Sequence, residues 1–420
     1  MANSNKGSII AIALITAICL AGDSMLYIVL PTHWKEVGLT SLIQVGVLLS
    51  VNRFVRLPLN PLIGFLFKKV SFRKGILLAV VLSGITTISY SLVKDFSLWL
   101  ILRSVWGLSW SIFKLGAYLL VLQFSTDSNR GNMVGTYNGL YRLGSLFGML
   151  LGGIFADLFG IKVISIVLGS LAFISIPFIF KYIPKRIQTD KGEERNNNTS
   201  LINNKGTQNK RLISILITAF LLILILDGML TATLSHIIEL KFTNKIDIIG
   251  VMIGAATLAG VMQSLRWVIL PFVIPKIGNV LDKAKQKSNI LIMFLGCASV
   301  LLVLITLPLG LTSWLIALLI HLLIASIITT IIDAIITEFA SKVSNTVFIM
   351  TLFTIIVDLG AALGPITGYT LEHKIGMTNL FLVAAGVCLC LMITWIFPSR
   401  YTEGSMMPVQ NKQEEKSSIF

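Results

Sequence analysis

Acidic side chains are scarce in this sequence. Nineteen Asp and Glu stand among 420 residues, against 34 Lys and Arg, and charged residues of both signs make up only 13%. A soluble domain carries about 25%, so an ordinary water-facing surface is excluded. Cysteine is scarce too. Cys19, Cys297, Cys388 and Cys390 all lie inside apolar runs, where they read as small buried hydrophobes rather than a disulfide framework or a metal cluster. The four histidines, His33, His236, His321 and His373, are scattered and form no metal-ligand spacing. No Ser-His-Asp set is formed, and Gly152-Gly153 is not a phosphate loop, because no Lys follows it. The sequence therefore predicts no enzyme, no metal and no cofactor.

What is present is hydrophobic length. Apolar residues make up 55% and mean hydropathy is +0.87. A membrane crossing needs about 20 predominantly apolar residues. Twelve such runs are predicted, at 8–31, 42–66, 75–93, 97–122, 132–156, 161–182, 212–238, 248–275, 288–309, 313–337, 346–370 and 376–398. The first is too long for the core of a signal peptide, has no clean cleavage site and carries Asp23, so it reads as a span. The expected architecture is an all-α membrane protein of twelve transmembrane helices. It divides into a six-helix bundle over 1–184, a polar linker at 185–211, a second six-helix bundle over 212–398 and a tail at 399–420. Linker and tail are too polar to bury a core.

The net charge of +15 is placed, not spread. Lys68, Lys69, Arg73 and Lys74 follow the second span without an acid, and Lys276, Lys283, Lys285 and Lys287 surround a lone Asp282 after the eighth. On the opposite side each base has an acid beside it: Lys35 with Glu36, Lys94 with Asp95, Lys374 with Glu372. Unbalanced basic loops face the cytoplasm, so both termini are expected inside, in a multi-pass protein of the cell membrane. The positive charge is then a topology signal and a contact with anionic lipid. No basic region belongs to a folded soluble module, which argues against a nucleic-acid partner.

Glycine organises the chain. Gly135, Gly144, Gly148, Gly152 and Gly153 fall in the fifth span, where each would cost about 1 kcal/mol against Ala in a water-exposed helix. In lipid, small residues let two helix backbones approach closely. The pattern recurs as Gly360, Gly364, Pro365 and Gly368 at an offset of 216 (360 − 144, and 368 − 152). Asp23-Ser-Met25-Leu26 returns as Asp227-Gly-Met229-Leu230. Arg53 followed by Pro58, Pro61 and Gly64 returns as Arg266 followed by Pro271, Pro275 and Gly278. Three matches in the same order predict a six-plus-six duplication, an architecture of transporters.

These motifs resemble the major facilitator superfamily along nearly the whole chain. The loop after the second span is similar to that family's Gly-x-Leu-x-Asp-Arg-x-Gly-Arg-Lys pattern. Gly64, Leu66, Lys69, Arg73 and Lys74 fit, while Lys68 stands at the acid and Ser71 at the second glycine. The later copy, from Gly278, keeps an acid at Asp282. Arg103-Ser-Val-Trp106-Gly107 resembles an Arg-x-x-Gln-Gly motif whose Arg is associated with proton-coupled members. The fifth span resembles the antiporter motif Gly-x8-Gly-x3-Gly-Pro-x2-Gly-Gly, all five glycines matching and Met149 replacing the proline. The resemblance implies two pseudo-twofold bundles, alternating access, and gating or helix-packing roles for these loop residues and glycines.

Besides His and residues near loop ends, ten ionisable residues are predicted within spans: Asp23, Arg53, Arg56, Arg103, Lys114, Arg142, Asp227, Arg266, Asp333 and Asp358. A charge at mid-bilayer costs at least ~2.5–3.5 kcal/mol, so such groups face a polar cavity and pair. Asp23 is the candidate for proton coupling, with Arg103 tuning it; the plainer alternative is a fixed Asp23–Arg53 pair. Arg53 and Arg56 lie three apart on one helix face and suit an anion, because the planar fork grips carboxylates. Arg142 and Asp358, at equivalent positions, are expected to pair across the cavity or line it. Asp227 and Arg266 are expected to pair, and Asp333 to be structural. Tyr27, Trp106, Trp110, Tyr118, Asn138 and Tyr141 are candidate lining residues.

The six bases and four acids in the spans favour an anionic or zwitterionic substrate. The function expected is proton-driven efflux of a small organic compound, such as a carboxylate metabolite or siderophore, by a monomer with the substrate, protons and lipid as its partners. A broad drug/proton antiporter, a proton-coupled uptake symporter and a non-transporting sensor are the rivals.

Overall fold

The computed structural model describes residues 2–125, 130–185, 206–242, 245–248, 251–284, 286–341, 343 and 346–396. Helices follow the apolar runs: α1 Ala2–His33, α2 Leu42–Lys69, α3 Phe72–Ser89, α4 Phe96–Phe124, α5 Arg130–Ile174 and α6 Ile176–Tyr182 in the first half. The second half holds α7 Gly206–Leu222, a π-helical segment Ile223–Met229, α8 Leu230–Phe242, α9 Ala255–Lys283, α10 Lys287–Thr306, α11 Leu311–Ser341, α12 Thr346–Ile375 and α13 Met377–Ile396. Among the described residues, ten continuous stretches are long and apolar enough to cross a membrane. Two of them run 51 and 49 residues, far more than a crossing needs, and each is broken by a left-handed glycine, Gly160 (φ 80°) and Gly376 (φ 78°). Split there, the ten stretches make twelve legs.

Two boundaries differ from the sequence expectation. The eighth run was expected to be helical from residue 248. Instead β1 Lys245–Ile248 and β2 Val251–Gly254 pair as a short antiparallel hairpin, and α9 starts only after Gly254. Ile246, Ile248, Val251 and Ile253 keep the run apolar, but β-branched residues in alternation suit a strand as well as a span. The end of the linker, from Gly206, is already helix. The rest of the linker and the tail lie outside the described residues.

The glycine helices pack as the repeat implies. A Cβ added at Gly144 or Gly148 would be driven into the backbone of Ala17 or Ala21 on α1, and one at Gly152 would meet Met25. On α12, the same test brings Gly360 against Phe220, Gly364 against Gly228 and Gly368 against Met229. Gly152 and Gly368 are 216 apart while their partners Met25 and Met229 are 204 apart, so both sequence offsets are satisfied by one helix pair used twice. A girdle of exposed apolar side chains surrounds the bundle, including Leu78, Ile85, Ile101, Leu122, Phe155, Ile166, Val300 and Ile393. A soluble protein does not expose apolar surface on this scale, and lipid covers it.

Among the described residues, the close glycine contacts between the halves lie at one end. There Gly46 of α2 abuts Pro365 and Ile366 of α12, Gly153 of α5 abuts Ala256 of α9, and Gly260 of α9 abuts Met149. Toward the other end, nearer the basic loops, a Cβ at Gly64, Gly135, Gly139 or Gly278 would meet nothing within 4 Å. The packing role expected for Gly64, Gly135 and Gly278 is therefore not realised in this arrangement: the helices have diverged where these glycines stand.

Candidate functional site

Between the halves lies a cavity of about 670 Å³, lined by α1, α2, α4 and α5 on one side and by the α7 to α9 region, α11 and α12 on the other. That volume is within the range of small-molecule sites. Seven charged side chains reach its wall: Asp23, Arg53, Arg56, Arg142, Asp227, Arg266 and Asp333.

Asp23 is held from behind. Its carboxylate accepts a short bond from Arg103 Nη1 and one of 3.1 Å from Asn52 Nδ2. Arg103 is fully buried, and its Nε donates to the Leu48 carbonyl at 2.9 Å. Gly107 makes this possible. A side chain there would strike the Asn52 backbone, so glycine lets α4 close on α2 and bring Arg103 within reach of α1. The fixed partner of Asp23 is thus Arg103 and not Arg53. The motif signal was right about the neighbourhood, but helix rotation decides which guanidinium arrives.

Arg53 belongs to a second set. Its Nε donates to Tyr27 Oη at 3.2 Å, and its Nη1 lies 3.9 Å from Asp227 Oδ2. The other Asp227 oxygen lies 3.9 Å from Arg266 Nη2. One acid therefore sits between an arginine from each half. Arg266 is also held by Ser326 Oγ at 2.8 Å and Gln263 Oε1 at 3.4 Å. Asp227 lies inside the π-helical segment, a wide turn that displaces a side chain from regular helical register.

Arg56 and Arg142 are different. Neither has an ion-pair partner among the described residues. Arg56 lies over two indoles, 5.5 Å from the Trp106 ring and 5.1 Å from Trp110, and its Nε is buried without a partner. Arg142 lies 5.4 Å from the ring of Trp267, which Arg266 approaches at 5.3 Å. Cation–π contact of this kind contributes ~0.5–2 kcal/mol while leaving N–H donors unused. The expected Arg142–Asp358 pair does not form. Asp358 is off the cavity wall, on α12.

Of the aromatic candidates, Tyr27, Trp110 and Tyr141 line the cavity. Trp106 is buried behind Trp110, stacked on it at 5.9 Å. Tyr118 and Asn138 are also off the wall; Tyr118 instead meets Tyr137 edge-on at 6.1 Å. Trp106 and Trp110 are one helical turn apart, so periodicity alone gives them the same face. The gating candidates Lys69 and Asp282 are exposed, and Arg73 ties α3 to the Ile183 carbonyl through a 2.8 Å bond. The Lys68 side chain lies outside the described residues. Sequence reasoning missed Gln263, Trp267 and Ser326, which carry no charge and so no signal in an apolar run. It also missed Asp157, four residues past Gly153, because it stands near a loop end.

Chain comparisons agree with this architecture. Multidrug resistance protein MdtG of Enterobacter lignolyticus is 22% identical over 408 residues, covering 95% of this chain and 94% of the relative. The human synaptic vesicular amine transporter is 27% identical over 162 residues, 38% of this chain and only 31% of that protein. Among solved structures, a POT family transporter in complex with 5-aminolevulinic acid superposes with a TM-score of 0.70 at 14% identity, covering 93% of this chain and 95% of that one. The nucleoside transporter NupG superposes at 0.69 and 13% identity, covering 93% and 98%. The model of the Major Facilitator Superfamily matches residues 12–340, so this chain belongs to that superfamily.

Proposed function

We propose that this transporter exports a small organic anion or zwitterion, of carboxylate type, in exchange for protons. The observation that carries the substrate class is the pair Arg56 and Arg142, two indole-backed guanidiniums on one cavity without an acid bound to either. Charge counting supports it. The cavity wall and its immediate supports hold Arg53, Arg56, Arg103, Arg142 and Arg266 against Asp23, Asp227, Asp333 and Asp358. One positive charge is left over, and a buried charge requires a partner. A carboxylate supplies it and accepts from the planar fork in two places. Export is supported by the full coverage of MdtG and by the glycine pattern of the fifth span. The basic loops support a cytoplasmic placement for the open end of the cavity.

Binding to the purified protein tests the substrate class. Against a panel of aryl and alkyl carboxylates, Arg56→Ala and Arg142→Ala are each expected to weaken binding at least tenfold, and Arg56→Lys less, since a lysine keeps the charge without the fork. Unchanged carboxylate affinity in both alanine variants overturns the reading. Asp23 is the proposed proton site, so Asp23→Asn is expected to keep substrate counterflow in liposomes while losing proton-driven accumulation. A second reading, export of hydrophobic cations, draws on the names of the relatives and on Asp333, a cavity acid with no ion-pair partner among the described residues. It requires that Asp333→Asn abolish dye-cation binding while Arg56→Ala leaves it intact.

A further inference from the structure

One acidic side chain bridges the halves at the closed end of the bundle. Asp157, on the first leg of α5, reaches across to the other half and accepts two bonds with its Oδ2, from Thr257 N at 2.7 Å and Thr257 Oγ1 at 2.6 Å. Thr257 is the third residue of α9, and the cap residue of that helix is Gly254, which has no side chain to offer. A Cβ at Gly254 would fall on the Asp157 carboxyl group. The first half thus supplies the N-terminal cap of a 29-residue helix in the second half. Oxygen acceptors and negative charge are both favoured at that end of a helix.

Two further ionisable groups lie in a row from Asp157 toward solvent. His33 Nε2 lies 4.0 Å from Asp157 Oδ1 and 3.9 Å from Glu36 Oε1. Glu36 is half exposed, at 51%, while Asp157 and His33 are at 15% and 11%. His33 Nδ1 lies 3.3 Å from the Val29 carbonyl oxygen and 2.9 Å from Thr32 Oγ1, which leaves Nε2 facing the two carboxylates. Lys35, the nearby base in sequence, is turned over the Trp34 ring. His33 and Glu36 come from α1 and the turn after it, and among the described residues the α9 side contributes Thr257 and no charge. Oδ2 accepts both bonds across the gate and Oδ1 faces His33, so a proton on Oδ1 keeps the acceptor but removes the charge that strengthens both bonds.

We propose that Asp157 is a protonatable latch on the gate opposite the basic loops. A proton from that side, passed by Glu36 and His33, adds to the Asp157 carboxylate, removes the charge capping α9 and lets the halves part. This rests on the alternating-access reading but not on the substrate class, and the test needs no substrate. Full-length protein in lipid nanodiscs carries spin labels at Leu92→Cys and Leu307→Cys, exposed positions beyond the far ends of α3 and α10, with Cys297 and Cys390 replaced by Ser. Distances are read at pH 8 and at pH 3.5, on either side of the ordinary carboxylate range. The open-to-closed ratio of the parent is expected to rise on acidification, toward the tenfold scale of a lost charged cap. Asp157→Asn is expected to sit at the open-shifted ratio at both pH values, Asp157→Glu to keep the response, and His33→Gln to slow it without changing its end points. A parent protein whose distances ignore pH overturns the proposal, as does an Asp157→Asn protein that responds like the parent. A response lost in His33→Gln but kept in Asp157→Asn overturns it too, by assigning the proton to the histidine.

Discussion

A guanidinium with no exposed surface, as at Arg103, is tolerated only if its charge is met at contact distance. Asp23 meets it, and the two are worth less to stability together than either costs alone. Arg103→Ala is accordingly expected to destabilise the protein by ~3–5 kcal/mol, because the Asp23 carboxylate stays buried without its partner. The double variant Asp23→Leu with Arg103→Met is expected to recover most of that loss, which thermal unfolding in detergent can check. A double variant no more stable than Arg103→Ala would mean that the Leu48 and Asn52 bonds, not the charge pair, hold α1, α2 and α4 together. At this scale the sequence was legible wherever a charge interrupted an apolar run. Asp23, Arg53, Arg56, Arg142, Asp227 and Arg266 all stood out, and all reach the cavity wall. Their pairing was not legible, because partners are chosen by the rotation of one helix against another. Nor were the neutral acceptors Gln263 and Ser326, which look like ordinary polar residues of a span until Arg266 is seen between them.

At the scale of one helix against another, glycines separate contact from space. Gly144 and Gly148 touch the α1 backbone, whereas Gly135, on the same helix, has nothing within 4 Å of its missing Cβ. Gly144→Ala and Gly148→Ala are each expected to cost ~1–3 kcal/mol through overpacking and to lower the unfolding temperature. Gly135→Ala is expected to be neutral or stabilising by up to ~1 kcal/mol, since alanine restricts the unfolded chain and favours helix. Equal effects at all three positions would show that helix propensity, not contact with α1, sets the cost. Element positions were read well from hydropathy because crossing a bilayer demands length. The π-helical segment and the β1–β2 hairpin were not, because neither changes the count of apolar residues. A π turn leaves no mark in composition, and an apolar β-branched run of four fits a strand and a helix end equally well.

Closure at one end and divergence at the other is a property of the whole molecule, and it follows from which small residues find a partner. The contacts of Gly46, Gly153 and Gly260 draw the halves together beyond the cavity, while Gly139, at its lining, faces open space. Duplication makes such asymmetry available. Two similar bundles carry two sets of small residues, and the Arg53–Asp227–Arg266 bridge lies between the bundles. The resting state described here predicts a sided reactivity in membranes. In a background without native cysteines, Gly139→Cys is expected to react with an impermeant maleimide from the side of the basic loops. Val45→Cys, buried where α2 meets the second half, is expected to resist the reagent from both sides at neutral pH and to become reactive from the opposite side when the Asp157 latch is neutralised by Asp157→Asn. Labelling of Val45→Cys in the unaltered protein, with Gly139→Cys protected, would place the resting gate at the other end and reverse the order in which the two openings occur during transport.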